Sequence, residues 1–211
     1  MKKIIFCDIP MKERVNKMNY ANANSKEHKY KTPVIFPINA ILAEKLKKND
    51  DVKVVLLRVK DDGKKYSERN EALFETELNE INKNIGANIS YKTIFTEFEE
   101  SKSTHEKRLH EMLSMIENDC SIYADITYGP KPLPMILMCA LTFAEKFFNA
   151  DIKKIVYGKV DFIKDKNGET QTVNPELYDV TNLYYLNNLM TSMKASSGNE
   201  ALCALDEFFK L

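Results

Sequence analysis

IYADITYGPKPLP, from Ile122 to Pro134, is the stretch that decides the fold. Ile122, Ala124 and Ile126 alternate with Tyr123, Asp125 and Thr127, the period of two that marks a β-strand. Gly129 and Pro130 then stop the strand ahead of the apolar run from Leu133 to Phe148, which reads as a helix. A strand, a glycine turn and a helix start make the carboxyl edge of a βαβ unit. The first N–H groups of such a helix have no intrahelical acceptor and sit at the positive end of its dipole, so an anion is expected there. Thr127 adds a hydroxyl and Lys131 a point charge.

The pattern repeats on either side. Strands are predicted at Ile4–Ile9, Val52–Val59, Ile89–Phe95 and Ile152–Phe162, with helices at Ile35–Lys48 and Glu68–Ile85. A further helix, opened by a Ser103–Glu106 capping box, presents Leu109, Met112, Leu113 and Ile116 to the core. Helices between successive strands predict an α/β fold: a Rossmann-like, mostly parallel sheet with helices on both faces. KDKNG (164–168) reads as a hairpin turn, returning Thr170–Val180 antiparallel as the C-terminal strand. Short C-terminal helices follow at Val180–Met193 and, after an SSGN linker, in NEALCALDEFFKL, whose Leu202, Leu205 and Phe209 share a face. The domain reading is a Rossmann-like unit over 1–195 and a linker with an amphipathic helix over 196–211.

Composition narrows the partners. The 31 basic and 31 acidic side chains of this 211-residue chain cancel, so no long-range field draws DNA, RNA or an acidic membrane. The longest apolar stretch, Leu133 to Ala144, falls short of the roughly 18 residues of a membrane span, and MKKIIFCDIP is too short for a signal-peptide core. The four cysteines are scattered without C-x-x-C spacing, which argues against a metal and for a reducing compartment. A cytoplasmic protein without cofactor is expected, since neither G-x-G-x-x-G nor G-x-x-x-x-G-K-[ST] occurs. Pro10 to Thr32 shows neither helical nor strand period, and loops of that length are usually functional or mobile. Within it, Tyr20, His28, Lys29 and Lys31 either close over a ligand, the tyrosine stacking on a base, or form an exposed polar loop.

Asp125, Thr127, Gly129 and Lys131 after a core strand, then Leu133–Pro134, then Val156–Tyr157–Gly158, form a pattern that resembles the CRISPR-associated Rossmann-fold (CARF) family. The later segment NPELYDVTNLYYLNNL is similar to the family's next strand and helix, and Lys131 stands where the family more often has arginine. The resemblance implies a homodimer that binds a cyclic oligoadenylate, with tetra-adenylate preferred, in type III CRISPR antiviral defence. It implies ligand contacts at Pro10, Asp125, Thr127, Tyr128, Gly129, Pro130, Lys131 and Gly158, with Lys131 and Thr127 as candidates for a slow, metal-independent ring-nuclease step. The R-x-x-x-x-H motif of the family's ribonuclease effectors does not occur, and about 30 residues follow Val180, too few for an effector core. The output is then expected from a separate effector protein. The alternatives are that the chain is the sensor portion of a longer effector, or an unrelated nucleotide-binding Rossmann enzyme.

Overall fold

The computed structural model describes residues 2–22, 29–61, 63–164, 166, 168 and 170–210. In chain order the elements are β1 (Lys2–Asp8), β2 (Ala21–Asn22), α1 (Pro37–Lys45), β3 (Asp51–Val59), α2 (Tyr66–Asn82), β4 (Asn88–Thr96) and α3 (Lys102–Ser114). They continue with β5 (Ser121–Asp125), α4 (Pro132–Phe148), β6 (Asp151–Lys164), β7 (Thr170–Asp179), α5 (Thr181–Ser192) and α6 (Gly198–Phe209). Every residue of β1 from Lys3 to Asp8 is buried, as happens when both faces of a strand are covered. β1 accordingly lies inside the sheet, parallel to β3 on one side and β5 on the other.

The sheet order is β2-β7-β6-β5-β1-β3-β4, parallel from β4 to β6, with β7 antiparallel to β6 as the sequence predicts. From β1 the chain steps outward to β3 and β4, then returns to β5 and β6. The reversal falls between β1 and β5, the place where open α/β sheets bind ligands beyond their strand ends. Odd residues of β1 and β5 (Ile5, Cys7, Tyr123) join Ile38, Leu42, Phe74 and Leu78 of α1 and α2 in one core cluster. α3 and α4 pack on one another.

β5 stops pairing with β6 at Val156, yet β6 runs on to Lys164 against β7 alone. This antiparallel ribbon therefore projects beyond the carboxyl edge of the parallel strands. The predicted turn between its strands lies partly outside the described residues, at Asp165 and Asn167. The chain divides into two compact units, residues 1–181 and 182–211, so that 196–211 belongs to the second. No helix among the described residues is long and apolar enough to cross a membrane.

Three local readings are corrected. The cap of α3 is Ser101, not Ser103: Ser101 is extended (φ −86°, ψ 160°) and its hydroxyl accepts from Thr104 N–H at 3.3 Å, leaving Ser103 inside the first turn. α1 is shorter than Ile35–Lys48 because Phe36 and Leu46 are both extended. The SSGN segment is not a linker throughout. Ser197 accepts from Glu200 N–H, Glu200 accepts from Ser196 N–H, and this capping box draws Gly198 and Asn199 into α6.

Gly158 of β6 lies so close to α1 that a Cβ there would stand 2.4 Å from Pro37 Cγ. Neither a rigid proline ring nor a central strand yields easily. Gly158→Ala should destabilise the protein by about 1–3 kcal/mol, the usual cost of overpacking, read as a lower midpoint in urea; an unchanged midpoint would show that α1 can shift.

Candidate functional site

Asp125 ends β5, and its carboxylate accepts two backbone hydrogen bonds, from Thr127 N–H at 2.8 Å and from Ile38 N–H at 3.1 Å. The second caps the first turn of α1, which has no side-chain cap of its own. The Thr127 hydroxyl in turn accepts from Gly158 N–H at 2.8 Å. Asp179 and Thr181 repeat this device: Asp179 accepts from Thr181 N–H at 3.0 Å, and the Thr181 hydroxyl accepts from Ile155 N–H at 2.8 Å. Both D-x-T turns thus satisfy N–H groups of β6 just where a strand neighbour gives out.

Asp8 ends β1 beside Asp125, but as an even residue of that strand it faces the other side of the sheet. Both its oxygens are buried without a hydrogen-bond partner among the described residues. A Cβ on Gly129 would lie 3.1 Å from Asp8 Oδ2, and Gly129 itself adopts φ +86°. Only glycine allows that turn to pass over the carboxyl. Burial, then the neighbouring Asp125, pushes the Asp8 carboxyl well above the usual carboxylate range. Burial also raises Asp125, to about 6, against the opposing pull of its hydrogen bonds from Thr127 and Ile38.

Beyond these strand ends lies a cavity of about 160 Å³. The Thr127–Tyr128 turn forms its floor, Gly158, Val160 and Phe162 of the projecting ribbon form one wall, and the segment from Lys12 to Tyr20 forms the other. Asn16 Nδ2 donates to Thr172 Oγ1 at 3.4 Å, joining the two walls. Lys12 and Arg14 supply positive charge, and Lys12 Nζ lies 5.9 Å from the Tyr128 ring and 5.3 Å from the Phe162 ring. Tyr20 is buried, and burial followed by Asp125 raises its phenol to about 12, so it stays neutral. A pocket with two cations and several aromatic rings is suited to a planar, anionic ligand.

Of the eight residues the family resemblance implies, Thr127, Tyr128 and Gly158 line this cavity. Asp125, Gly129 and Pro130 do not line it, Asp125 being fully buried beneath the Thr127 turn and Gly129 lying over Asp8, and Pro10 is buried with its carbonyl accepting from Asn70 Nδ2 at 2.8 Å. Lys131 is exposed at the start of α4 and does not line the cavity. The anion cradle expected at the α4 N-terminus is not built. Pro132 and Pro134 have no N–H, and Leu133 N–H already donates to the Pro130 carbonyl at 3.0 Å. Sequence reading missed Lys12, Arg14 and Phe162, and named Tyr157 only as part of the Val156–Tyr157–Gly158 pattern. Of these, Lys12 and Arg14 carried a legible signal, as cations directly after the first strand.

Taken together, fold and site define a Rossmann-like α/β protein with a small cavity of mixed cationic and aromatic lining at its strand carboxyl ends. No family model matches the chain, and comparison with curated protein sequences returns no match. The functional reading therefore rests on the residues themselves.

Two outcomes follow from this geometry. Thr127→Val leaves Gly158 N–H without its acceptor and should cost about 1–3 kcal/mol in denaturant unfolding, whereas Thr127→Ser, which keeps the hydroxyl, should lose little; wild-type stability in Thr127→Val with loss only in Thr127→Ser would assign the effect to the methyl group. For Asp8, a folded-state pKa above the ordinary 3.8 means that the native protein holds this proton more tightly than the unfolded chain. Its contribution is full below that value and is lost as pH rises toward the folded pKa. Stability relative to Asp8→Asn, which cannot ionise, should then decline as pH rises above the ordinary carboxylate value of 3.8, and a flat difference would contradict the assignment.

Proposed function

We propose that the protein binds a cyclic oligoadenylate as a homodimer and acts as a CARF-type sensor in type III CRISPR defence. The observation that carries this reading is the cavity itself, where Lys12 and Arg14 stand beside the rings of Tyr128, Tyr157 and Phe162 at the carboxyl ends of β5 and β6. Adenine offers a flat face to such rings and phosphate a charge to such cations. At about 160 Å³ the cavity is smaller than the roughly 300–1,000 Å³ of a pocket that encloses a drug-sized ligand, so one chain encloses only part of an oligonucleotide ring. A ring of several nucleotides then calls for a second copy.

α4 offers the surface for one. Met135, Cys139, Phe143 and Phe147 recur every four residues on its exposed side, with Met135 72% and Phe147 60% accessible. The stripe begins one turn beyond Lys131, so a parallel two-fold pairing of α4 with its copy brings both Lys131 ammoniums to the same end of the interface, and an antiparallel one sets them apart. Binding is favoured over ring cleavage. The Thr127 hydroxyl serves the Gly158 backbone, and Lys131 lies outside the cavity, so neither catalytic candidate is poised beside a bound ribose.

Thermal unfolding with cyclic tri-, tetra- and hexa-adenylate tests the reading. One ring, expected to be tetra-adenylate, should raise the melting temperature, since ligand at a hundred times its Kd adds about 2.7 kcal/mol of stability. Light scattering should report a dimer. No shift with any ring on folded protein would overturn the proposal, and a shift with a mononucleotide or dinucleotide alone would favour an unrelated nucleotide-binding enzyme.

A further inference from the structure

Pro10 to Glu13 is a strap whose backbone is pinned to α2. Asn70 Nδ2 donates to the carbonyls of Pro10 at 2.8 Å and Lys12 at 2.9 Å, and the Arg69 guanidinium donates to those of Lys12 at 3.4 Å and Glu13. Asn70 is fully buried, so this anchor is part of the core. Lys12 consequently has a fixed Cα and a free four-carbon side chain. Its ammonium rests against two rings, Tyr128 from the β5–α4 turn and Phe162 from the ribbon. Among the described residues, no carboxylate forms an ion pair with it. Phe162 is 59% exposed, so its ring remains open to a ligand.

From this arrangement we infer that the space between Tyr128 and Phe162 is a nucleobase slot, and that the Lys12 ammonium is its stand-in occupant when no ligand is bound. The inference rests on the nucleotide reading above and goes further, naming the slot and the exchange. A base entering the slot stacks on rings that now face an ammonium, and stacking on a base is the stronger of the two interactions at an accessible site. The displaced ammonium, swinging about its pinned Cα, meets the phosphate attached to that base. One side chain thereby closes the empty slot and becomes the charge partner of the filled one. Lys12 is thus a positioning and specificity residue of the site, and the rigid strap is what keeps both of its positions within reach.

Calorimetric titration of the full chain with adenosine monophosphate and with cyclic tetra-adenylate, each over a series of salt concentrations, decides the matter. Lys12→Met keeps the length and apolar stem but removes the charge. It should weaken binding at least tenfold and flatten the salt dependence by about 0.7 in log–log slope for each phosphate left without its ammonium, with Lys12→Arg restoring the slope. Phe162→Ala should weaken binding at least tenfold with the slope unchanged, because it removes stacking and no charge. Both residues are exposed, so neither variant threatens the fold. Wild-type affinity and slope in Lys12→Met, or wild-type affinity in Phe162→Ala, would overturn the inference. If the monophosphate shows the expected pattern while the ring does not bind, the slot stands and the cyclic-oligoadenylate reading falls. If neither ligand binds the unmodified protein, both fall.

Discussion

The Asp125 carboxylate reaches two backbone donors at once, Ile38 N–H on α1 and Thr127 N–H in its own turn, and the Thr127 hydroxyl carries the connection on to Gly158 of β6. Three elements that meet at the carboxyl edge of the sheet are held by one buried side chain and its neighbour. Each of the N–H groups involved would otherwise be an orphan: Ile38 in the first turn of a helix, Gly158 beyond the last rung of the β5–β6 ladder. The close approach of Gly158 to Pro37 follows from the same joint, since α1 is drawn against β6 until only a residue without Cβ fits. Floor and wall of the cavity, Tyr128 and Gly158, are placed by this bonding.

Electrostatics at the edge are set by two carboxyls rather than one. Asp125 faces α1, and Asp8 faces the Gly129 turn and Leu133 on the opposite side of the sheet. Two buried negative charges on adjacent strand ends would repel each other and any phosphate above them. Keeping the proton on Asp8, which has no hydrogen bonds to favour its ionised form, removes much of that repulsion. Tyr20 and Tyr128, raised by burial, stay neutral as well. Attraction for an anion must therefore come from outside the frame, and Lys12 and Arg14 of the first segment are where the structure supplies it.

This division explains what could be read from the sequence. Strands such as Asp51–Val59 and Ser121–Asp125 announce themselves as short, largely apolar runs because burial on both faces demands it, and the α/β order fixes the parallel sheet. The anion site expected at the start of α4 was misread, although prolines at 132 and 134, which have no N–H, already argued against it. Phe162 was not legible. Its role depends on β5 ending at Asp125 while β6 continues, and a period-two pattern in β6 carries no record of where its neighbour stops. Lys12 showed its charge in the sequence but not its place, since its segment has no periodicity and is positioned by Asn70 and Arg69 some 58 residues away in the chain.

The D-x-T-x-G pattern that suggests a nucleotide-binding family is, in physical terms, largely a framing device. Its aspartate caps a helix, its threonine closes a strand end, its glycine clears a buried carboxyl, and Asp179–Thr181 performs the first steps again where the cavity is not lined. The pattern therefore speaks first to how the edge of the sheet is built, and the choice of ligand is left to the side chains that project over it. Because the chain as a whole is neutral, those few local cations act without help from a long-range field. On the nucleotide reading proposed above, recognition then comes from fit and stacking at short range, with charge adding only where a phosphate lies against the strap, which is the regime in which a single lysine shared between two rings and one phosphate has most influence.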